Sequence, residues 1–325
     1  MLLRLVRRVL AALLTVLAAL LLCFALGQLT PGDAFSALEL DPSISAGELA
    51  HLRATYLPQE PLVQRFGAWL AGAAHGNLGV SLESHQPVSR LLRERAPASF
   101  ELMALGLGEA WALGLALALA PLWLGEEGHW RWQAALERVL HAAASVLTAL
   151  PLGVLAIMAL VWAPVGWLPG SEAQPSPWLP AVVLALAFLP VVYFQAAHAL
   201  GVVMERGFIG QGRAGGLAPW RLLLRHGLPN SSDVLVPVAS LTVSQAMVEL
   251  VILEPLLGWP GLGQLSLQAA QAKDMPVLAA LVLLSSLVVI AANWASELGQ
   301  WLLNPRLRAR QRFAAAATTA GQEQA

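Results

Sequence analysis

Six stretches of about 20 or more residues run almost free of charge along this 325-residue chain. They fall at about 5–29, 99–124, 139–163, 178–204, 233–257 and 277–303. A helix needs roughly 20 apolar residues to cross the ~30 Å hydrocarbon core of a bilayer. Backbone in lipid must satisfy its own hydrogen bonds, so such runs fold as helices. The chain therefore reads as all-α and integral to a membrane, with six transmembrane helices. Composition agrees: 12% of residues are charged, about half the ~25% of soluble domains. The first run is read as a retained helix. Its apolar core, Val9–Leu26, is long for a signal peptide, and Phe24-Ala25-Leu26-Gly27-Gln28 is no small-residue cleavage site.

Charge and cysteine remove several function classes. A net charge of −1 gives no footprint for nucleic acid. The single lysine, Lys273, lies in Gln-Ala-Lys-Asp-Met-Pro rather than in a glycine-rich phosphate loop, so the chain carries no Walker A site. One cysteine, Cys23, excludes a disulfide framework and a cysteine-based metal site. His141 and His198 have no third ligand at supporting spacing, and no metal is expected. Ser145, Ser240 and Ser244 come without GxSxG or HExxH, so no catalytic residue is assigned.

Arginines set the expected orientation. Arg4, Arg7 and Arg8 precede the first run, Arg131 and Arg138 follow the second, and Arg206, Arg213, Arg221 and Arg225 follow the fourth. Arg306, Arg308, Arg310 and Arg312 sit in the tail, whereas 164–177 has no base and 258–276 has only Lys273. Basic short loops stay inside, which puts both termini in the cytoplasm. Segment 30–98 then lies outside despite its five arginines, since long loops translocate largely regardless of charge. Within it Ser45-Ala46-Gly47-Glu48 reads as a capping box, followed by Leu49, Leu52 and Tyr56 up to Pro58. Pro61 opens a second helix with an apolar stripe of Leu62, Phe66, Trp69, Leu70 and Ala73, closed by Gly72, Gly76 and Gly79. The segment reads as a small cap or, alternatively, a substrate-contacting surface. Trp123, Trp130, Trp162, Trp167, Trp178, Trp259 and Trp301 sit near span ends, as interfacial belts do. The domain division is 1–29, 30–98, 99–303 and 304–325.

Ionisable residues inside a span are functional candidates. Thr242, Gln245 and Glu249 recur at i, i+3 and i+7, within about 60° on a helical wheel. They form either a stripe lining a substrate path or an inter-helix hydrogen-bond cluster. Glu109 is a further acid in the second span, protonated or paired with a neighbour. Asn293, Ser296 and Glu297 read as bundle or interface residues. Glu254, Pro260, Gly261 and Gly263 belong to a turn, with Glu254 placed to accept hydrogen bonds from backbone amides there.

Taken in order, the landmarks resemble the permease subunits of binding-protein-dependent ABC importers, in the dipeptide, oligopeptide and nickel branch. They are Leu29-Thr30-Pro31-Gly32-Asp33, Gly76-Asn77-Leu78-Gly79-Val80-Ser81, Pro97 to Leu102, Leu150-Pro151, Glu254 to Gly263, Asp274-Met275-Pro276 and Asn304 to Arg308. The resemblance implies a type I permease fold in a bacterial inner membrane and no cofactor, ATP being bound by partners. It implies as partners a second homologous permease, two ATPase subunits, an extracytoplasmic binding protein and membrane lipid. It also places a coupling segment at 207–230 that docks into an ATPase groove. Here Gly216, Leu217, Trp220, Arg221, Leu224 and Arg225 carry that role, and an amphipathic helix on the inner leaflet is the other reading. Five glycines among residues 207–216 cost about 1 kcal/mol each relative to alanine in a helix, so a loose or broken helix is expected there. That feature opens the alternative of a transporter-like scaffold with weakened coupling.

Overall fold

A computed structural model describes residues 2–29, 61–126, 129–162 and 176–303, with the isolated positions 45 and 47. The capping box at 45–48, the helix over Leu49 to Tyr56, the 30–33 motif, Trp167 and the 304–325 tail lie outside the described residues. The chain elements are helices: α1 (Leu2–Leu29), α2 (Leu62–Ala74), α3 (Val88–Glu126), α4 (Trp130–Thr148), α5 (Leu152–Trp162), α6 (Trp178–Met204) and α7 (Gly207–Ala214). There follow α8 (Pro219–Arg221), a π-helical stretch at Leu222–Gly227, α9 (Leu228–Asn230), α10 (Ser232–Leu257), α11 (Leu262–Gln271) and α12 (Met275–Leu303). Five of these helices are long and apolar enough to cross a membrane, and α4 with α5 make a sixth if that bent pair is one span.

Two of the six expected spans are corrected. The second begins eleven residues early, at Val88 rather than Ser99. At 1.5 Å per residue its 39 residues reach about 58 Å, roughly twice the hydrocarbon thickness. The added turns carry Arg90, Arg93, Glu94 and Arg95, and an Arg90–Glu94 pair at 2.8 Å supports them. The third span is not one helix over 139–163. It starts at Trp130 and breaks at Ala149–Pro151, where α4 and α5 meet at 96°. Pro151 brings no N–H and disfavours helical geometry at Leu150; its own carbonyl then starts α5 by accepting from Val154 and Leu155.

Residues group into two compact units. Among the described residues, the first comprises 2–29, 61–101 and 247–290. Its core joins Val88 and Leu92 to Leu262, Leu265, Ala269, Val277, Ala280 and Leu281. A second cluster sets Val16, Leu20 and Phe24 of α1 against Ala279, with Leu62, Phe66, Trp69 and Leu70 of α2 packed on it. The apolar stripe of α2 thus covers α1. Phe24 meets Phe66 edge-on at 5.5 Å, and the Trp69 indole N–H donates to the Leu78 carbonyl at 3.2 Å.

Among the described residues, the second unit comprises 102–126, 129–162, 176–246 and 291–303. Here α3 meets α6 across a stripe of small residues, Gly106, Ala110, Gly114 and Ala118, all buried. Small residues let helix backbones approach closely in a membrane. A methyl group at Gly106 would sit 2.9 Å from the Leu184 side chain, and one at Gly114 would sit 2.7 Å from Val192. Tyr193 is buried beside Ala196, Ala199 and Leu200, and its hydroxyl is 2.8 Å from Nδ1 of His141 on α4. His141 is thereby a packing partner of α6.

Gly114→Leu should therefore lower the thermal midpoint of the purified protein in detergent, at a cost of about 1–3 kcal/mol for overpacking. Gly108, on the same helix, has nothing within 4 Å of an added Cβ, and Gly108→Ala should hold or raise the midpoint, since alanine is the better helix former by about 1 kcal/mol. Equal effects of the two substitutions would contradict this packing.

Candidate functional site

The turn after α10 is built around one carboxylate. Helix α11 starts at Leu262, and its first N–H groups have no partner within the helix. Glu254, near the end of α10 and 0% exposed, supplies one. Its Oε2 accepts from the backbone N–H groups of Gly263 at 2.6 Å and Gln264 at 3.2 Å. Its Oε1 accepts from the Ser99 hydroxyl at 2.6 Å, while Ser99 Oγ accepts from the Leu262 N–H at 2.7 Å. Glu254 and Ser99 together cap the first three amides of α11.

This cap explains the glycines. A methyl group on Gly261 would collide with both Glu254 carboxylate oxygens and Ser99 Oγ, and one on Gly263 with the Leu250 carbonyl. Gly258 turns the chain with φ +65°. Pro260 is exposed. Trp259 is no belt residue. It is buried, and its indole N–H donates to the Ala98 carbonyl at 3.0 Å. Trp123, Trp130, Trp162, Trp178 and Trp301 are exposed, as belt residues are.

A second carboxylate does the same work nearby in the same unit. Asp274, 1% exposed, accepts through Oδ2 from the Ser81 hydroxyl at 2.5 Å and the Leu82 N–H at 2.9 Å. This ties the turn at 81–86 to the start of α12. Sequence reading quoted both of these motifs but assigned neither residue a role. The available signal was an Asp directly before a Met-Pro helix start.

The proposed path residues do not share one environment. Thr242 is buried and accepts from the Trp111 indole N–H at 3.2 Å while donating to the Ala239 carbonyl at 2.9 Å. Its hydroxyl is consumed in holding α3 to α10. Gln245 is exposed and Glu249 half-buried.

The coupling segment folds differently from expectation in its front half. A regular helix, α7, occupies Gly207–Ala214. Ile209 is fully buried, and with Phe208 it packs against Met204, Leu223, Leu119 and Leu122. Tertiary burial of this pair offsets the poor helix propensity of the glycines. Gly216, at φ +74°, stops the helix: the Leu217 N–H returns to the Gly212 carbonyl at 3.1 Å, a left-handed glycine cap. Pro219 then opens a new turn at its first helical position.

Beyond it the ladder widens to π-helix at Leu222–Gly227. Pro229 follows and has no N–H to offer the Arg225 carbonyl. Side chains fill in around it: Asn230 Nδ2 donates to the His226 carbonyl at 2.7 Å, and Ser231 Oγ donates to those of Gly227 and Ala199. Leu222 and Leu223 face inward and are buried. Trp220 is 56% exposed and Leu224 50%. The Arg221 guanidinium lies 5.2 Å over the Trp220 ring. Arg225 is exposed and Leu217 half-buried. The segment thus presents one outward patch of tryptophan, leucine and two arginines.

Residues 131–309 match the family described as binding-protein-dependent transport system inner membrane component. A permease protein named for peptides, from Brucella suis biovar 1, is 27% identical over 312 residues, covering 93% of this chain and 97% of its own length. The glutathione transport system permease protein GsiC of Salmonella typhimurium is 27% identical over 305 residues, with 93% and 97% covered. Among solved structures, inward-facing MetNI methionine ABC transporter aligns with TM-score 0.57 at 20% identity, over 66% of this chain and 96% of that one.

Glu254→Ala should leave two buried donors, the Ser99 hydroxyl and the Gly263 N–H, and the half-buried Gln264 N–H without their acceptor. At about 1–3 kcal/mol for each stranded group, after relaxation the loss should be on the order of 3 kcal/mol. Thermal unfolding in detergent measures it, and an unchanged midpoint would show that the carboxylate is dispensable to the turn.

Proposed function

The chain belongs to the family of binding-protein-dependent transport system inner membrane components, and from that premise we propose how it works within an importer. It is a multi-pass membrane permease subunit, with an all-α type I fold. We assign it to the uptake of peptides or peptide-like solutes such as glutathione. The observation that carries this assignment is alignment over 93% of the chain with permeases named for peptides and for glutathione.

In this reading the chain pairs with a second permease around a shared path. An extracytoplasmic binding protein delivers the solute, and two ATPase subunits bind ATP below. Their closure moves the coupling segments and rocks the permease pair between inward- and outward-open states. The chain supplies path and lever, with no hydrolytic role of its own. A scaffold with weakened coupling loses its motive, because the glycine-rich stretch forms a helix anchored by Ile209.

Docking falls to the outward patch. Trp220 and Leu224 are apolar and unpacked within the chain, and Arg221 and Arg225 flank them. Aromatic and arginine anchors dominate interface energetics, and arginines suit an acidic groove rim. Trp220→Asp with Leu224→Asp should cut ATPase recovery in co-purification by at least about tenfold, since two lost anchors weaken binding by more than about 1.4 kcal/mol. Full recovery would remove docking from this segment and return it to the lipid surface.

The arginine distribution further places both termini inside and segment 30–98 outside. A cysteine introduced at position 60, with Cys23 replaced by serine, should react with an impermeant maleimide added outside intact spheroplasts. Reaction only after lysis would reverse the orientation.

A further inference from the structure

We propose that Glu249 selects for positive charge in the transported solute, taking up a protonated amine such as a peptide's terminal ammonium group; this rests on the peptide-permease reading above. Glu249 is the eighteenth of 26 residues in α10, well inside an apolar helix. Its helical neighbours divide into two faces. Leu250 and Leu253 are buried in the chain, while Val248 and Ile252 are exposed. Glu249 stands half-buried at the boundary between them.

The two other inner carboxylates of this unit show what protein partners look like here. Glu254 and Asp274 are buried and saturated by hydroxyl and backbone donors. Glu249 has no hydrogen-bond or ion-pair partner among the described residues. Countercharge is scarce in the described spans: α5, α6, α10 and α12 contain no arginine or lysine, α3 contains none after Arg95, and the arginines of α1 and α4 stand at positions 4, 7, 8, 131 and 138. An ionised carboxylate only accepts hydrogen bonds. Lipid tails donate none, and carrying an acid into a membrane helix is costly unless something compensates it. A solute that brings its own cationic N–H group supplies a charge-assisted bond. An N-acetylated peptide of the same sequence has lost that group and should pass this point less well.

The test uses the complete importer reconstituted in liposomes with its binding protein. Uptake of a free-amine peptide is measured beside that of its N-acetylated form, for wild type, Glu249→Gln and Glu249→Asp. The same binding protein serves every variant, so its own preference cancels when the ratios are compared. Glu249→Gln should lower the ratio of free-amine to acetylated uptake about tenfold, the scale of one hydrogen bond to a charged group. Glu249→Asp, which keeps the charge, should retain most of the preference.

An unchanged ratio in Glu249→Gln overturns the proposal while leaving the permease assignment intact. Loss of the permease pair on gel filtration in that variant also overturns it, making Glu249 an interface residue. Failure of wild-type importer to move any peptide would instead overturn the peptide reading beneath it.

Discussion

Hydrocarbon offers no hydrogen bonds, so each backbone amide inside the membrane must find a partner in the chain itself. Along α1, α3, α6, α10 and α12 the helical ladder does most of this, with a gap at interior prolines such as Pro190. The places where the ladder stops are where the chain needs side chains. At the start of α11, Glu254 and Ser99 take up the amides of Leu262, Gly263 and Gln264. At the start of α12, Asp274 binds the Ser81 hydroxyl and accepts from the Leu82 amide. Ser99 and Ser81, each far away in sequence, join these closures, which fix how the helices of that unit meet.

The same constraint explains the glycines better than chain flexibility does. Gly261 and Gly263 are small because carboxylate, hydroxyl and carbonyl oxygens occupy the space a side chain would need. Gly106 and Gly114 are small because α6 lies against them. In lipid there is no hydrophobic drive to bring apolar helices together, and close backbone approach replaces it. Gly76, Gly79, Gly216 and Gly258, at φ +82°, +89°, +74° and +65°, act mainly through backbone conformation.

Much of this was legible in the sequence, because hydropathy reports the solvent directly. The positions of α1, α6, α10 and α12 follow from their apolar runs to within a few residues. Hydropathy fails where helix and membrane part company. Arg90 to Arg95 belong to α3 but look like loop, since that end of the helix extends past an apolar run. Leu150-Pro151 was read as part of one span and instead turns the chain by 96°. Glycine propensity misled at Gly207–Ala214, where two buried side chains outweigh it. Trp259 looked interfacial from its position near a span end, yet its indole N–H is spent on Ala98. The last two depend on contacts that a one-dimensional pattern does not contain.

Polar residues within the apolar helices sort by whether the chain uses up their bonding capacity. Thr242, proposed from the sequence alongside Gln245 and Glu249, is exhausted by Trp111 and Ala239. Glu254 is exhausted by three donors. Such residues pin helices together, and their polarity is no guide to a solute. Helical spacing alone cannot make this distinction, because it puts Thr242 and Glu249 on one stripe regardless of what faces them. Glu249 is the member of that stripe whose carboxylate stays unspent. Its burial leaves it dependent on whatever donor next comes alongside α10, and that dependence is what a transport subunit can use.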